Sequence, residues 1–387
     1  MKYSLSALFC LSFLFVFNTA CAKTKNGEIP ISELRAFSEA YYQIKSNYVT
    51  NVDDEVLLRA AIKGMVASLD KHSRYLPADE FKMFNAENEG EYAGVGLAFK
   101  ENQFGLEIIE VIKNSPAARA KLKSGMIVTH IDQKALEFVA SEDAFSLLRG
   151  ELGSMVQLTV ASASFAKPKH IELVREFILL ETITSQLLPN ATGYIAISQF
   201  TLNSLDEFEL AIAELSARQP LNKLIIDLRN NPGGVMTVAV DLSDLFISQG
   251  KLLVSSGRSD DANQTYYATQ DAPLGELEIV IVINKGSASA SEILTAALHD
   301  HKKALILGER SFGKGSIQTV FPLNYQSGMK LTSAEYFSPL GHKIQDVGIT
   351  PDVEFAQSMK KNPYKVSLLD DPQLLQAYNL LLKNNLH

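Results

Sequence analysis

The sequence predicts an α/β protein: a core with a mainly parallel sheet, a smaller β-rich domain ahead of it, and a helical N-terminal region. Two observations carry the core. Strand-like and helix-like runs alternate between residues 176 and 355. The runs Leu224–Leu228 and Glu278–Ile283 are, apart from Asp227 and Glu278, apolar and rich in β-branched residues, as strands covered on both faces are. A third observation marks the smaller domain: residues 90 to 175 hold short, glycine-broken, alternating strands with only two short helix signals.

Composition sets the outer bounds. A chain of 387 residues, 46% apolar and 21% charged, is ordinary globular material for two or three domains. Its formal net charge of −8 argues against nucleic acid as a partner.

The N-terminus reads as a signal peptide over residues 1–22. Lys2 supplies a positive start, and the apolar run Leu5–Phe17 is only 13 residues long, short of the roughly 18–20 a spanning helix needs. Ala20-Cys21-Ala22 then resembles an A-x-A cleavage site. The expectation is an exported, periplasmic chain that starts near Lys23. A lipoprotein anchored through Cys21 is the lesser reading, because Asn18-Thr19-Ala20 lacks the leucine-like residue such a site carries. Cys10 and Cys21 are the two cysteines, so the mature chain has no thiol for a disulfide, a nucleophile or a zinc site.

Residues 23–88 predict helices. Leu34, Phe37, Tyr41 and Ile44 recur at helical spacing, as do Val56, Leu57, Ala60, Ala61 and Met65. Asp53-Asp54 suits a helix start. This region reads as a packing element or as the contact of a homodimer.

Residues 89–175 predict strands over Val95–Phe99, Leu106–Ile112, Ile127–Ile131, Val156–Ala161 and Ile171–Val174. A short helix opens at Ser115 with Pro116 in its first position, and a second runs over Ser141–Leu148. The glycine-rich turn Gly94-Val95-Gly96-Leu97 exposes backbone N–H groups beside a strand edge, which suits capture of a peptide's terminal carboxylate. The order resembles a PDZ domain of bacterial proteases, with Gly94, Val95, Gly96 and Leu97 as the peptide-binding loop. It departs from that pattern at Ala120-Lys-Leu-Lys-Ser-Gly-Met126.

In the core, residues 176–355, strands are expected at Tyr194–Ile197, Leu224–Leu228, Glu278–Ile283 and Ala304–Leu307, and helices at Ser204–Arg218, Val238–Ile247 and after Ser289. The tail, residues 356–387, holds one amphipathic helix, Pro372–Leu382.

Three segments carry chemistry. In Asn284-Lys-Gly-Ser-Ala-Ser-Ala-Ser-Glu292 hydroxyls sit where a strand turns into a helix. Ser289-x-x-Glu292 is a capping box. Yet Gly286, Ala288 and Ala290 leave the turn uncrowded, and a helix start offers oriented N–H donors to a developing oxyanion. Ser289 is therefore a cap or a nucleophile. In Ser311-Phe-Gly-Lys-Gly-Ser-Ile-Gln318, Lys314 sits between glycines 25 positions after Ser289. Burial there would lower its pKa and make it a base; a turn at the surface would leave it an ordinary lysine. Gln318 could reach the amine if both share a face. In Asp227-Leu-Arg-Asn-Asn-Pro-Gly-Gly234, glycine N–H groups suit one half of an oxyanion hole, or a tight turn.

Together these segments resemble the carboxyl-terminal processing peptidases, the tail-specific serine proteases, over roughly residues 30–382. The resemblance implies a crotonase-like/ClpP-like protease core with an inserted PDZ domain. It implies Ser289 as nucleophile, Lys314 as base, Gln318 as the lysine's partner, and oxyanion donors at Ala290 and at Gly233, with Gly234 the alternative. Lys285, beside the nucleophile motif, departs from the family's pattern outside that set. No cofactor or metal is implied. The partners expected are protein substrates held by their C-termini, with a homodimer and an envelope adaptor as further associations. The rival functional class is a non-catalytic PDZ scaffold, and acyl-thioester chemistry on the same fold is a third. His299-Asp300-His301 reads as a polar helix end rather than a metal pair, since adjacent helical positions diverge.

Overall fold

The computed structural model describes residues 30–137, 147–162, 167–269, 271–356, 368 and 370–383. The expected signal peptide, both cysteines and most of the expected helix Ser141–Leu148 lie outside the described residues. The chain divides after Ile62 into two compact units. The first holds α1 (Ile31–Asn47) and the start of α2 (Asp54–Ala67). Lys45 Nζ joins them by bonding the Val52 carbonyl at 2.7 Å and Asp54 at 2.6 Å. No residue of α1 is buried, and Ile31, Leu34, Phe37 and Ile44 are exposed.

The second unit begins before residue 88, the end of the expected helical region. The reason is β1 (Arg74–Leu76), which is hydrogen-bonded into a core sheet ahead of α3 (Ala78–Asn88).

The smaller domain follows. It comprises β2 (Glu91–Gly94), β3 (Leu97–Asn102), β4 (Gly105–Val111), α4 (Pro116–Arg119), β5 (Ile127–Ile131), β6 (Lys134–Ala135), β7 (Met155–Ala161), β8 (Lys169–Val174) and β9 (Glu176–Leu179). The sheet order is β3-β4-β5-β7-β8, with β6 beside β5. Its alternating strands bury Leu97, Phe99, Leu106, Ile108, Val128 and Leu158 on one face. Ser115 caps α4 by accepting from the Ala118 N–H at 3.2 Å, with Pro116 at the first position. β3 is an edge strand. Antiparallel pairing of β2 with β9 joins the two ends of this domain.

The core comprises β10 (Ile183–Leu188), β11 (Thr192–Ile197), α5 (Ser204–Arg218), β12 (Lys223–Asp227), α6 (Met236–Asp244), β13 (Lys251–Gly257), β14 (Thr265–Tyr267), β15 (Glu278–Ile283), α7 (Ala290–Asp300), β16 (Ala304–Gly308), β17 (Ser316–Pro322), β18 (Gly328–Phe337), β19 (Val353–Glu354) and α8 (Pro372–Lys383). The main sheet runs β10-β11-β12-β15-β16-β19, parallel from β11 onward. The period of two in a strand explains why the central residues of β12 and β15 are apolar on both faces. Ile226, Ile281 and Ile283 pack under Phe208, Leu242 and Ile293 of α5, α6 and α7. Their neighbours Ile225, Val280 and Val282 face the other way, onto Leu374, Ala377 and Leu381 of α8. The expected tail helix is thus the cover of the sheet's second face.

A second sheet, β1-β18-β13-β14 with β17 also on β18, stands apart from the alternating pattern. The sequence reading missed the β17–β18 hairpin. Its loop holds Tyr325 and Gln326 at φ 59° and 58°, without the Asn-Gly or Asp-Gly signal that such a turn ordinarily carries.

Candidate active site

β15 enters the main sheet and hands over to α7 at its carboxyl end, where ligands of open α/β sheets sit. Ser289 occupies the handover, as N-cap of α7, with φ 56° and ψ −115°. That is a strained conformation for a serine, and it persists because its surroundings fix it on every side. The three hydroxyls in doubt now separate. Ser287 Oγ donates to the Leu228 carbonyl at 2.8 Å, and Ser291 Oγ donates to the Asn231 carbonyl at 3.0 Å. Both are buried stitches. Ser289 Oγ donates to no group among the described residues, and its side chain is half-buried.

The capping box forms, and its acid does more than cap. Glu292 is fully buried. Its Oε2 accepts from the Ser289 N–H and the Lys314 N–H, each at 2.9 Å. Its Oε1 accepts from the Gly313 N–H at 2.7 Å and from the Ser311 hydroxyl. One carboxylate therefore joins the serine turn to the lysine loop. Tyr336, from β18, places its hydroxyl on the Lys314 carbonyl and 3.1 Å from the Ser289 carbonyl. Burial and then Glu292 push the Tyr336 phenol well above its usual range, which keeps it a donor. Sequence reasoning had Glu292 only as a cap and missed Tyr336.

Lys314 is half-buried, and its amine makes no hydrogen bond among the described residues. Burial lowers its pKa; Glu292 acts the other way. Lys330 on β18 and His72 before β1 are also held low, first by burial and next by the charge of Lys314. Arg74 pushes Lys330 down further and Glu87 pulls it up. These groups are within electrostatic reach of the amine or of each other, and sequence spacing gave no sign of them.

The loop after β12 is sewn to the serine turn. The Asn230 N–H donates to Asn284 Oδ1 at 2.9 Å, and Asn284 Nδ2 donates to Asn230 Oδ1 at 2.9 Å. The Ala288 N–H donates to the Asn231 carbonyl at 3.0 Å. Gly233, at φ 99°, lies so close that a Cβ there would be 2.7 Å from Ser289 Cβ and 2.8 Å from the Ala290 nitrogen. Gly234, at φ 144°, passes the Phe200 carbonyl, 1.9 Å from where its Cβ would be. Only glycine fits either place.

The expected site residues are thus partly gathered. Ser289, Ala290, Gly233 and the Lys314 backbone converge. The Gly233 N–H is occupied, donating to Asn231 Oδ1 at 2.8 Å, whereas the N–H groups of Ala290 and Gly234 donate to nothing among the described residues. Gln318 is not brought to the amine: its Nε2 donates to Ser316 Oγ at 2.8 Å and to the Ser316 carbonyl at 3.3 Å. A register shift between Ile317 and Gln318 interrupts the β17–β18 ladder at this point. Lys285 is exposed, 3.5 Å from Glu309. His299 pairs with Asp352 at 3.0 Å, and His301 meets the Lys251 carbonyl at 2.7 Å. In the smaller domain, the N–H groups of Val95 and Gly96 donate to nothing among the described residues, while their carbonyls accept from Ala117 and Ile112 at 3.0 Å each.

Comparison with known proteins gives the family. Residues 191–355 match peptidase family S41, residues 83–161 match the PDZ domain, and residues 17–79 match the activating protease CtpB N-terminal domain. A carboxy-terminal-processing protease of Bartonella bacilliformis is 34% identical over 354 residues, 89% of this chain and 80% of that one. The carboxy-terminal processing protease CtpA of Bacillus subtilis is 32% identical over 345 residues, 89% of this chain and 73% of that one. Among solved structures, a photosystem II D1 C-terminal processing protease superposes with a TM-score of 0.51 at 28% identity, covering 83% of this chain and 86% of that one. A putative S41 protease from Bacteroides fragilis, 16% identical with a TM-score of 0.51 over 82% of this chain and 87% of its own, shares the fold. Identity and coverage at this level make the chain a member of the carboxy-terminal-processing serine proteases of peptidase family S41, with a PDZ domain ahead of its peptidase core.

Proposed function

We propose that this protease is exported and cleaves protein tails with a Ser289–Lys314 dyad. The observation that carries the reading is the shared carboxylate: Glu292 holds the Ser289 turn and the Lys314 loop from one side chain, beside a glycine loop that approaches Ser289. Neutral Lys314 takes the hydroxyl proton as Ser289 Oγ bonds to the peptide carbonyl carbon, and returns it to the leaving amine. Water then attacks the acyl-serine ester, Lys314 again accepts the proton, and the released serine recovers it. The Ala290 N–H and the free Gly234 N–H stabilise the oxyanion; Gly233 takes that part where Asn231 releases it. Gln318 steadies the amine after leaving Ser316. The rival scaffold reading has no use for the strain at Ser289 or for a half-buried lysine whose pKa is lowered.

The PDZ domain captures the substrate's C-terminus. Support comes from the edge position of β3 and from the unengaged Val95 and Gly96 N–H groups, the two requirements of strand addition with a carboxylate at its end. With a peptide ending in a free carboxylate, Ser289→Ala and Lys314→Ala should each cut turnover by on the order of 10⁴-fold. Amidating the peptide's terminus should raise KM and leave kcat. Wild-type-like turnover in either variant would overturn the dyad.

The pH dependence follows from burial. Activity needs neutral Lys314, so kcat/KM should rise through a pKa below the ordinary lysine value of about 10.4. Glu292 favours the charged amine. In Glu292→Gln the ascending limb should therefore move to lower pH, whatever happens to the maximum. A limb that stays or moves up contradicts the assignment.

Export rests on Leu5–Phe17 and Ala20-Cys21-Ala22, and self-association on the exposed apolar residues of α1. Native mass spectrometry of the protein from the cell envelope tests both. The expected masses are those of a chain beginning at Lys23 and of its dimer; an uncleaved monomer would sink both proposals, and a diacylglyceryl Cys21 would favour the lipoprotein alternative.

A further inference from the structure

Arg229 lies between Leu228 and Asn230, the residues that tie the glycine loop to the serine turn, yet its side chain points the other way. It is fully buried, and five hydrogen bonds consume its fork. Nε and Nη2 donate to Asp227 Oδ1 at 3.0 Å and Oδ2 at 2.6 Å. Nη2 also donates to Asp371 Oδ2 at 2.7 Å; Nη1 donates to Asp371 Oδ1 at 3.2 Å and Gln373 Oε1 at 3.0 Å. Asp227 is held in turn by the Tyr194 hydroxyl at 2.7 Å. The partners on the far side belong to α8. Asp371 caps that helix, accepting from the N–H groups of Gln373 at 3.1 Å and Leu374 at 3.0 Å. Gln373 Nε2 anchors to the Phe355 carbonyl at 2.9 Å.

We propose that Asp371 is a positioning residue for the oxyanion loop, acting through Arg229. The inference rests on the assignment of that loop to oxyanion binding. A guanidinium with no access to water that loses one of its two carboxylates keeps Asp227 on Nε and Nη2 and leaves Nη1 with Gln373 alone. Without the Asp371 charge it shifts toward its remaining acceptors, Asp227 and Gln373, and draws the backbone at residues 228–231 with it. The carbonyls of Leu228 and Asn231, which receive Ser287 and Ser291, move too, and with them the glycine N–H groups that face the reacting carbonyl. The C-terminal helix therefore completes the active site from the opposite face of the sheet, though it contributes no group to the substrate.

Such a role predicts a loss confined to the transition state. In the full-length Asp371→Asn enzyme, kcat should fall about 10–100-fold, somewhat less than removal of one oxyanion donor outright, with KM changed less than about twofold. A peptide boronate that mimics the tetrahedral intermediate should lose affinity in the same proportion as kcat. Gln373→Met, which takes away one acceptor and leaves the ion pair, should give the same pattern at smaller size and serves if Asp371→Asn does not fold. The structural control is Tyr378→Phe, which removes the bond from Asn190 Nδ2 at 2.8 Å on the same helix. It should lower the melting temperature and leave kcat and boronate affinity unchanged. Wild-type kcat in Asp371→Asn or Gln373→Met, or an equal kcat loss in Tyr378→Phe, would overturn the inference. Full turnover in Ser289→Ala would instead overturn the reading beneath it.

Discussion

The candidate active site depends on where one carboxylate sits. Glu292 has no exposed surface, and it receives donors from residues 289, 311, 313 and 314. A buried acceptor left unmatched costs about 1–3 kcal/mol, so the four donors are held to it and to one another. The serine turn belongs to the main sheet and the lysine loop leads into the second sheet. Glu292 is where the two sheets agree on a geometry. It also sets opposing electrical demands: burial drives Lys314 towards the neutral form and Glu292 favours the charged one. The outcome is a lowered lysine rather than one locked in either state.

Much of this was legible in the sequence. β5, β15 and α5 fall where the apolar periods place them, because strands and helices covered by the core have little freedom to end elsewhere. The Ser115-Pro116 helix start was equally plain, since its two signals act locally. The serine motif was readable only as an ambiguity. A cap and a nucleophile ask for the same residue at the same turn; Ser287 and Ser291 spend their hydroxyls on neighbouring carbonyls, while Ser289 completes the capping box and donates its own hydroxyl to no group among the described residues.

What the sequence hid is what links distant residues. Nothing in Asp227-Leu-Arg229 announces a partner 142 positions later, and nothing in the tail helix says that its first turn closes on that arginine. The β17–β18 hairpin lacked a turn dipeptide, so Tyr336 and Lys330 could not be placed near Lys314. Gln318 is the converse: its spacing suggested the amine, and the register shift at Ile317 and Gln318 leaves its amide on Ser316. Proximity along a strand fixes which face a side chain takes, but an interruption of the ladder can undo it.

Hydrogen exchange tests most directly whether Glu292 unites the two halves of the site. The amide protons of Ser289, Gly313 and Lys314 all end on its two oxygens. In a folded Glu292→Gln variant the three should lose protection together, while amides of β15 and β12 exchange as before. Loss at Gly313 and Lys314 with Ser289 still protected would show that the serine turn stands without its carboxylate, and would contradict the account.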